Sequence, residues 1–230
     1  MTAESPLKQH TPRLLLELLV VILGITISFW FQEWRQGQDD RAEEQRLLTN
    51  IKLELSIDRD NVNKRAQRLT DGIARMQQLT SAPSADHGLS QQAIDLAMDD
   101  ALGYMSFSPA TATYTELSQT GASRLIRDKQ LVRQIISLYE SQYPTAVEWD
   151  VINRKFVLDR MFPYLDMHGP AIDATITGAM ATGYHAAFEV LSPNTQFRNL
   201  LRTGALFKEG QRLTYTRLVK QIDSVLAALP

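Results

Sequence analysis

The sequence predicts an all-α protein: an N-terminal transmembrane helix that continues into a long helix, followed by an antiparallel helical bundle. Three observations carry this expectation. Apolar residues recur at three- and four-residue steps over most of the chain, the period of an amphipathic helix. No sustained alternating run rich in β-branched residues occurs, so a sheet is not expected. One stretch, Leu14 to Phe31, is apolar apart from Glu17, Thr26 and Ser28.

Those eighteen residues, at about 1.5 Å each, make roughly 27 Å of helix, close to the hydrocarbon thickness of a bilayer. Phe29, Trp30, Phe31 and Trp34 cluster at the far end, as aromatic side chains do at a membrane interface. Trp30, Trp34 and Arg35 are the expected interfacial anchors. A cleaved signal peptide is the alternative, but Thr26-Ile27-Ser28 followed by Phe-Trp-Phe lacks the small residues of a cleavage site. A soluble helix this long would carry a polar stripe. Lys8 and Arg13 precede the span, and Arg35, Arg41 and Arg46 follow it. Counting Lys and Arg is nearly a tie. The basic residues on the short tail, nearest the start of the span, favour the N-terminus inside and a periplasmic domain.

Helical signal continues beyond the span. Leu48, Ile51, Leu55, Val62, Ala66, Leu69, Ile73 and Met76 keep the period, with one lapse at Asp58-Arg59. Asp60 with Lys64 and Asp71 with Arg75 are acid-before-base pairs at i,i+4. One helix is therefore expected from Leu14 to Leu79, with Gly37 as its weak point. Ser81 to Gly88 is a loop by composition. Ser90 is placed to cap a helix using Ile94, Ala97, Met98 and Ala101. Ser108-Pro109 reads as another helix start, Thr113 with Glu116 offers a competing capping box, and Gly121 closes that helix. Asp128 caps the next, through Leu131, Ile135, Leu138 and Tyr139, which Pro144 breaks or kinks. Trp149, Ile152 and Phe156 continue the period. Pro163 to Leu191 reads as a turn at Gly169-Pro170 and a close-packed helix. Ser192-Pro193 starts a segment carrying Phe197, Leu200 and Leu201, and Leu218, Ile222, Val225 and Leu229 mark the last helix.

The 230 residues accommodate a short tail (1–13), an anchor (14–34) and a helical soluble domain (35–230). The remaining length of about 190 residues is enough to bury a core without staples. There is no cysteine, which excludes disulfides, thiolate metal sites and a cysteine nucleophile. A net charge of -2 gives no basic field, so nucleic acid is not an expected partner.

Glu17 to Trp34, ELLVVILGITISFWFQEW, resembles the anchor of the uncharacterised bacterial family DUF6090. A glutamate opens the apolar run, a glycine follows seven residues on, and a tryptophan stands beyond the bilayer. Glu17, Gly24 and Trp34 hold those positions. TYTELSQTG, Thr113 to Gly121, is similar to a second block of that family, with LIRDKQL, Leu125 to Leu131, after it. Phe197-Arg198-Asn199-Leu200-Leu201 is similar to a third. Family anchors often carry asparagines before the tryptophan, where this chain has Phe31-Gln32-Glu33. The resemblance implies one N-terminal span and a helical domain, and no activity.

Nothing in the sequence carries catalysis. His10, His87, His168 and His185 are scattered, and no HExxH, Glu-x-x-His pair, phosphate-cradling glycine loop or G-x-S-x-G elbow occurs. Asp166-Met167-His168 reads as a polar helix end. Gly178 and Gly183 read as close-packing glycines. No enzyme, cofactor or metal site is expected, and the sequence assigns no small-molecule ligand. Tyr114, Leu117, Gly121, Phe197 and Asn199 are expected to serve structure: packing, helix termination, and for Asn199 either a bundle hydrogen bond or solvent. The sharper expectation concerns the span. Glu17, Val21, Gly24, Ser28, Phe31 and Arg35 share one helix face. Gly24 and Ser28 form a small-xxx-small pair that lets another helix approach. Glu17, Val21, Gly24 and Ser28 are therefore expected to form an association face, for a second copy or another membrane protein. The expected function is a membrane-anchored scaffold or accessory subunit; a periplasmic ligand-sensing bundle module working with a membrane partner is the alternative.

Overall fold

The computed structural model describes residues 11–81, 88–170, 175–177 and 180–230. Residues 1–10 of the tail, with Lys8 and His10, lie outside the described residues, as do loop residues 82–87, with His87, and Gly178.

Helix α1, Thr11–Ser81, is unbroken over 71 residues and passes Gly37 without interruption. Its two ends have different surroundings. From Leu16 to Trp34 the large apolar side chains are 51% to 69% exposed, so none of the described residues covers them. Residues 35–42, about 12 Å of helix, are also almost wholly uncovered. Contact begins where the Glu44 carboxylate accepts from the Arg127 backbone N–H at 2.7 Å and Arg46 meets Glu116. From Leu47 onward the apolar stripe is buried, with Ile51, Leu55, Val62 and Met76 fully so.

The remaining helices pack on this distal half. They are α2 (Gln91–Leu102), α3 (Ala112–Thr120), α4 (Lys129–Ser137), α5 (Tyr143–Phe156), α6 (Phe162–His168), α7 (His185–Leu191) and α8 (Thr195–Ala228). Helix α8 runs antiparallel to α1. Arg198 donates to the Thr80 carbonyl at one end, and Lys52 donates to the Pro230 carbonyl at the other. Its stripe Leu218, Ile222, Val225 and Leu229 is buried against α1 and α4. The fold class is all-α, as the periodicity predicts.

Helices α4, α5 and α6 form one rod. They are joined by π-helical turns at Leu138–Gln142 and Val157–Met161, and each turn is followed two residues later by a proline, Pro144 and Pro163. Proline has no N–H, and its ring crowds the carbonyl four residues back. The wider turn absorbs this, because Tyr143 N donates to Leu138 O and Phe162 N to Val157 O, five residues back. Pro144 thus widens the helix and does not break it.

Several helix starts differ from the sequence reading. Ser90 Oγ does accept from Ala93 N, and Asp128 Oδ1 from Gln130 and Leu131 N. Helix α3, however, begins at Ala112, and Ser108-Pro109 lies in the irregular segment 103–111. The Thr113 hydroxyl binds Glu54 instead of forming a capping box. Helix α8 is capped by Asn194, not Ser192. Two ion pairs also differ. Arg75 pairs with Asp100 of α2 and Asp71 takes Gln67, while Asp60 pairs with Arg59.

The segment after α6 is not a close-packed helix. Thr175–Thr177 and Met180–Thr182 form an antiparallel ribbon, β1 and β2, with Ile176 opposite Ala181. Its first strand is β-branched throughout, which favours the extended backbone. Two short strands leave the class unchanged.

Candidate functional site

Two regions carry features beyond packing. On the exposed half of α1, Glu17, Val21, Gly24 and Ser28 lie along one face. Gly24 and Ser28 leave a shallow indentation walled by Val21, Ile25, Phe29 and Gln32, and a Cβ added at Gly24 would meet nothing within 4 Å. The two hydroxyls are satisfied inside the helix: Ser28 Oγ donates to Gly24 O and Thr26 Oγ1 to Ile22 O, both at 2.8 Å. Back-bonding of this kind leaves no hydroxyl unpaired in an apolar medium. Phe31 and Trp34 are in contact, with ring centroids 5.9 Å apart; Trp30 and Arg35 are exposed beside them.

The residues of the two downstream blocks sit in the bundle. Leu117 and Phe197 are buried. Tyr114 stacks on Tyr139 at 4.3 Å and donates to Glu140 at 2.7 Å; burial and that carboxylate push its hydroxyl up to about 12. Gly121, with φ +67°, is the left-handed residue that ends α3, a conformation costly for any side chain. Asn199 is exposed to solvent. Asp166, Met167 and His168 form the exposed last turn of α6.

The second region could not be assembled from the sequence. Among the described residues the core has two apolar clusters, one around Ile51, Leu138 and Ile222 and another around Met76, Met98 and Phe197. Buried polar residues separate them. On α5, Asp150 and Asn153 stand between Ala146 of the first cluster and Phe156 of the second. On α8, Lys208, Gln211 and Thr214 stand between Leu201 and Tyr215. The α5 stripe therefore runs through Asp150 and Asn153, leaving Trp149 and Ile152 half-buried.

These carboxylates hold segment 103–111 in place. Asp150 accepts from the Phe107 N–H, Gln211 Nε2 and Tyr215 OH, each at 2.6 Å. Asp58 of α1 accepts from the Ala110 N–H and from Tyr143 OH at 2.8 Å. Glu54, one turn earlier, accepts from Thr113 N and Oγ1. An irregular segment inside a bundle has no ladder for its N–H groups, and side-chain acceptors supply the partners. Burial raises Asp58 above the usual carboxylate range, against its two hydrogen bonds and with help from Glu54. Burial and the Asp58 charge push the Tyr143 hydroxyl well up.

Beside this clamp, where α1, α2, α5, α8 and the start of segment 103–111 meet, lies a groove of about 450 Å³. Lys208 reaches it with 4% of its surface exposed, and its ammonium donates to the Gly103 carbonyl at 2.7 Å. Burial pushes this amine down to about 8, although Asp100 and Asp99 favour the charge. Arg75 and Asp100 form a two-bond pair in the wall. Gly72 lies under it, since a Cβ there would stand 2.9 Å from Asp100 Oδ1.

The fold and its two regions define a class: a helical domain carried on a helix long and apolar enough to cross a membrane, with none of that apolar window buried. No protein-family model, curated protein or solved structure matches the chain.

Proposed function

We propose that the protein is a single-pass protein of a bacterial inner membrane whose helical domain lies in the periplasm and acts as a scaffold or accessory subunit through protein–protein contacts. One observation carries this reading: an apolar helix of spanning length that the rest of the fold leaves uncovered. In water such a surface is unfavourable by about 25 cal/mol for each Å² exposed, and a bilayer removes that cost. The resemblance to DUF6090 belongs to the same proposal, since it places one span ahead of a helical domain.

Contact within the membrane is the second part. Lipid gives no hydrophobic drive for helix association, so close approach at small residues and polar contacts supply it. The Gly24–Ser28 indentation offers the first and Glu17 the second. Glu17 lies near the end of the span, where a charge costs much less than the roughly 2.5–3.5 kcal/mol of mid-membrane. Partners are a second copy or another membrane protein.

Crosslinking in native membranes, with identification of the captured proteins, tests this. Glu17→Leu and Gly24→Leu are each expected to lower the yield of the wild-type adducts about threefold, the size of a contact worth about 0.6 kcal/mol. Wild-type partners at wild-type yield in both variants would overturn the association face. A ligand-sensing role is favoured by a different observation, the polar groove in the domain.

A further inference from the structure

The groove has unmet acceptors in its lining. Gln211 of α8 and Asn153 of α5 both line it, and each is 1% exposed. Gln211 gives its Nε2 to Asp150 at 2.6 Å, which fixes the amide's orientation, since the reverse would set two acceptor oxygens against each other. Its Oε1 is the end left over, and that oxygen accepts no hydrogen bond; neither does Asn153 Oδ1. Buried side-chain acceptors normally have a partner, and leaving one without is costly. Lys208, one turn before Gln211 on α8, brings the opposite group to the same groove. Its ammonium has three donors, one of which goes to the Gly103 carbonyl.

Two acceptors and a donor on one space select among ligand classes. A carboxylate or a phosphate presents acceptor oxygens alone and would leave both amide carbonyls unmet. An amine would set a second cation beside Lys208, and an apolar molecule would satisfy none of the three. A hydroxyl donates and accepts at once, so neighbouring hydroxyls can donate to the two carbonyls and accept from the ammonium. Of the ionised groups on the rim, Arg75 and Asp100 pair with each other and Asp99 has an interaction of its own, so none of these calls for a counter-charge. Tyr104, 45% exposed, stands in the wall with an apolar ring suited to the C–H side of a sugar. A volume of about 450 Å³ lies in the range of small-molecule sites. Both carbonyl oxygens are covered by neighbouring atoms, so a ligand reaches them through side-chain rotation in the wall, a change common where partners bind.

We propose that this groove binds a neutral polyol of monosaccharide size, its hydroxyls bridging Lys208 to Asn153 and Gln211 and its carbon face laid on Tyr104. The inference rests on the ligand-sensing reading and is independent of the membrane-contact reading, since the groove lies in the helical domain.

The test uses the full chain in a detergent without a sugar headgroup, titrated calorimetrically. The cyclic polyols are glucose, galactose and myo-inositol, the linear one is mannitol, and glucuronate and glucosamine are the charged counterparts. Saturable binding of at least one neutral polyol is expected below about 10 mM, about tenfold tighter than either charged compound. The O-methylated form of that polyol keeps its oxygens and loses its donors, and is expected to bind about tenfold more weakly. Lys208→Met and Asn153→Leu are each expected to weaken the polyol by a similar factor, and Tyr104→Ala by about threefold. Tyr104 is exposed, so its variant keeps the test valid if the buried ones fail to fold. Equal binding of the methylated form, or unchanged affinity in Tyr104→Ala, would overturn the proposal. Saturable binding of glucuronate or glucosamine alone would overturn the polyol and keep the sensing reading, whereas no saturable binding of any compound would overturn both.

Discussion

Asp58 shows how one polar residue at a core position is justified by what it holds. It interrupts the buried stripe of α1 between Leu55 and Val62, is itself 1% exposed, and anchors the Ala110 N–H and the Tyr143 hydroxyl. Asp58→Ala leaves the buried Tyr143 hydroxyl and the half-buried Ala110 N–H without an acceptor, and an unmet buried group costs about 1–3 kcal/mol. The expected loss, read by urea denaturation of the detergent-solubilised chain, is about 2–4 kcal/mol. Asp58→Asn keeps one carbonyl acceptor and is expected to lose less than Asp58→Ala. The lapse at Asp58-Arg59 is visible in the sequence as a broken period. Its partners are not, because they lie 52 and 85 positions away. Asp150, Asn153, Lys208 and Gln211 are equally hidden: a polar residue on a helix reads as solvated until the neighbouring helices are placed.

Lys208 gives a pH signature with a definite sign. Burial holds it at about 8 against an ordinary 10.5. Between these values the unfolded chain keeps a proton that the folded chain has released, so this group raises stability as pH rises. The tyrosines act oppositely. Burial first, then nearby carboxylates, hold Tyr139, Tyr143 and Tyr215 above their ordinary 10.0, so they lower stability as pH rises past that value. From about pH 8 to about 9.5 the lysine dominates, and the unfolding free energy of wild type is expected to climb relative to Lys208→Met. A constant difference over that window would contradict the assignment.

At the scale of the element, α1 is one helix in two environments. Its distal half is held by packing, and its proximal half by hydrogen bonds and contacts within the helix itself. Gly37 lies where packing is absent, and a Cβ added there would meet no atom within 4 Å. Gly37→Ala is therefore expected to act through propensity, worth about 0.8–1.0 kcal/mol. Amide hydrogen exchange around residues 35–42 should slow by about fivefold, while the unfolding midpoint of the domain stays unchanged. A shifted midpoint would mean that the stalk packs on the domain. The long helix and the α2, α4 and α8 stripes are legible in the sequence because burial on one face imposes a period. The π turns are not, since they are a response to Pro144 and Pro163 within a rod that neighbouring contacts keep continuous. The ribbon at 175–182 escapes a sequence reading for the opposite reason: each strand has three residues, too few to establish alternation.

Taken whole, the molecule is an antiparallel helical domain mounted on an uncovered helix, and that layout separates its two candidate activities. Contact in the membrane belongs to the span, and small-molecule binding to the seam between the two apolar clusters. The domain's side of the bilayer has its own test. The chain has no cysteine, so Gln92→Cys, at an exposed position of α2, provides a single thiol. Labelling by a membrane-impermeant maleimide is expected in spheroplasts without lysis; labelling only after lysis would place the domain in the cytoplasm. Alkaline carbonate extraction of membranes tests whether α1 crosses the bilayer. With α1 spanning the membrane, the full-length chain is expected to stay in the pellet and to be released only by detergent. Release by carbonate alone, or a mature chain shortened by loss of the residues up to Trp34, would contradict it.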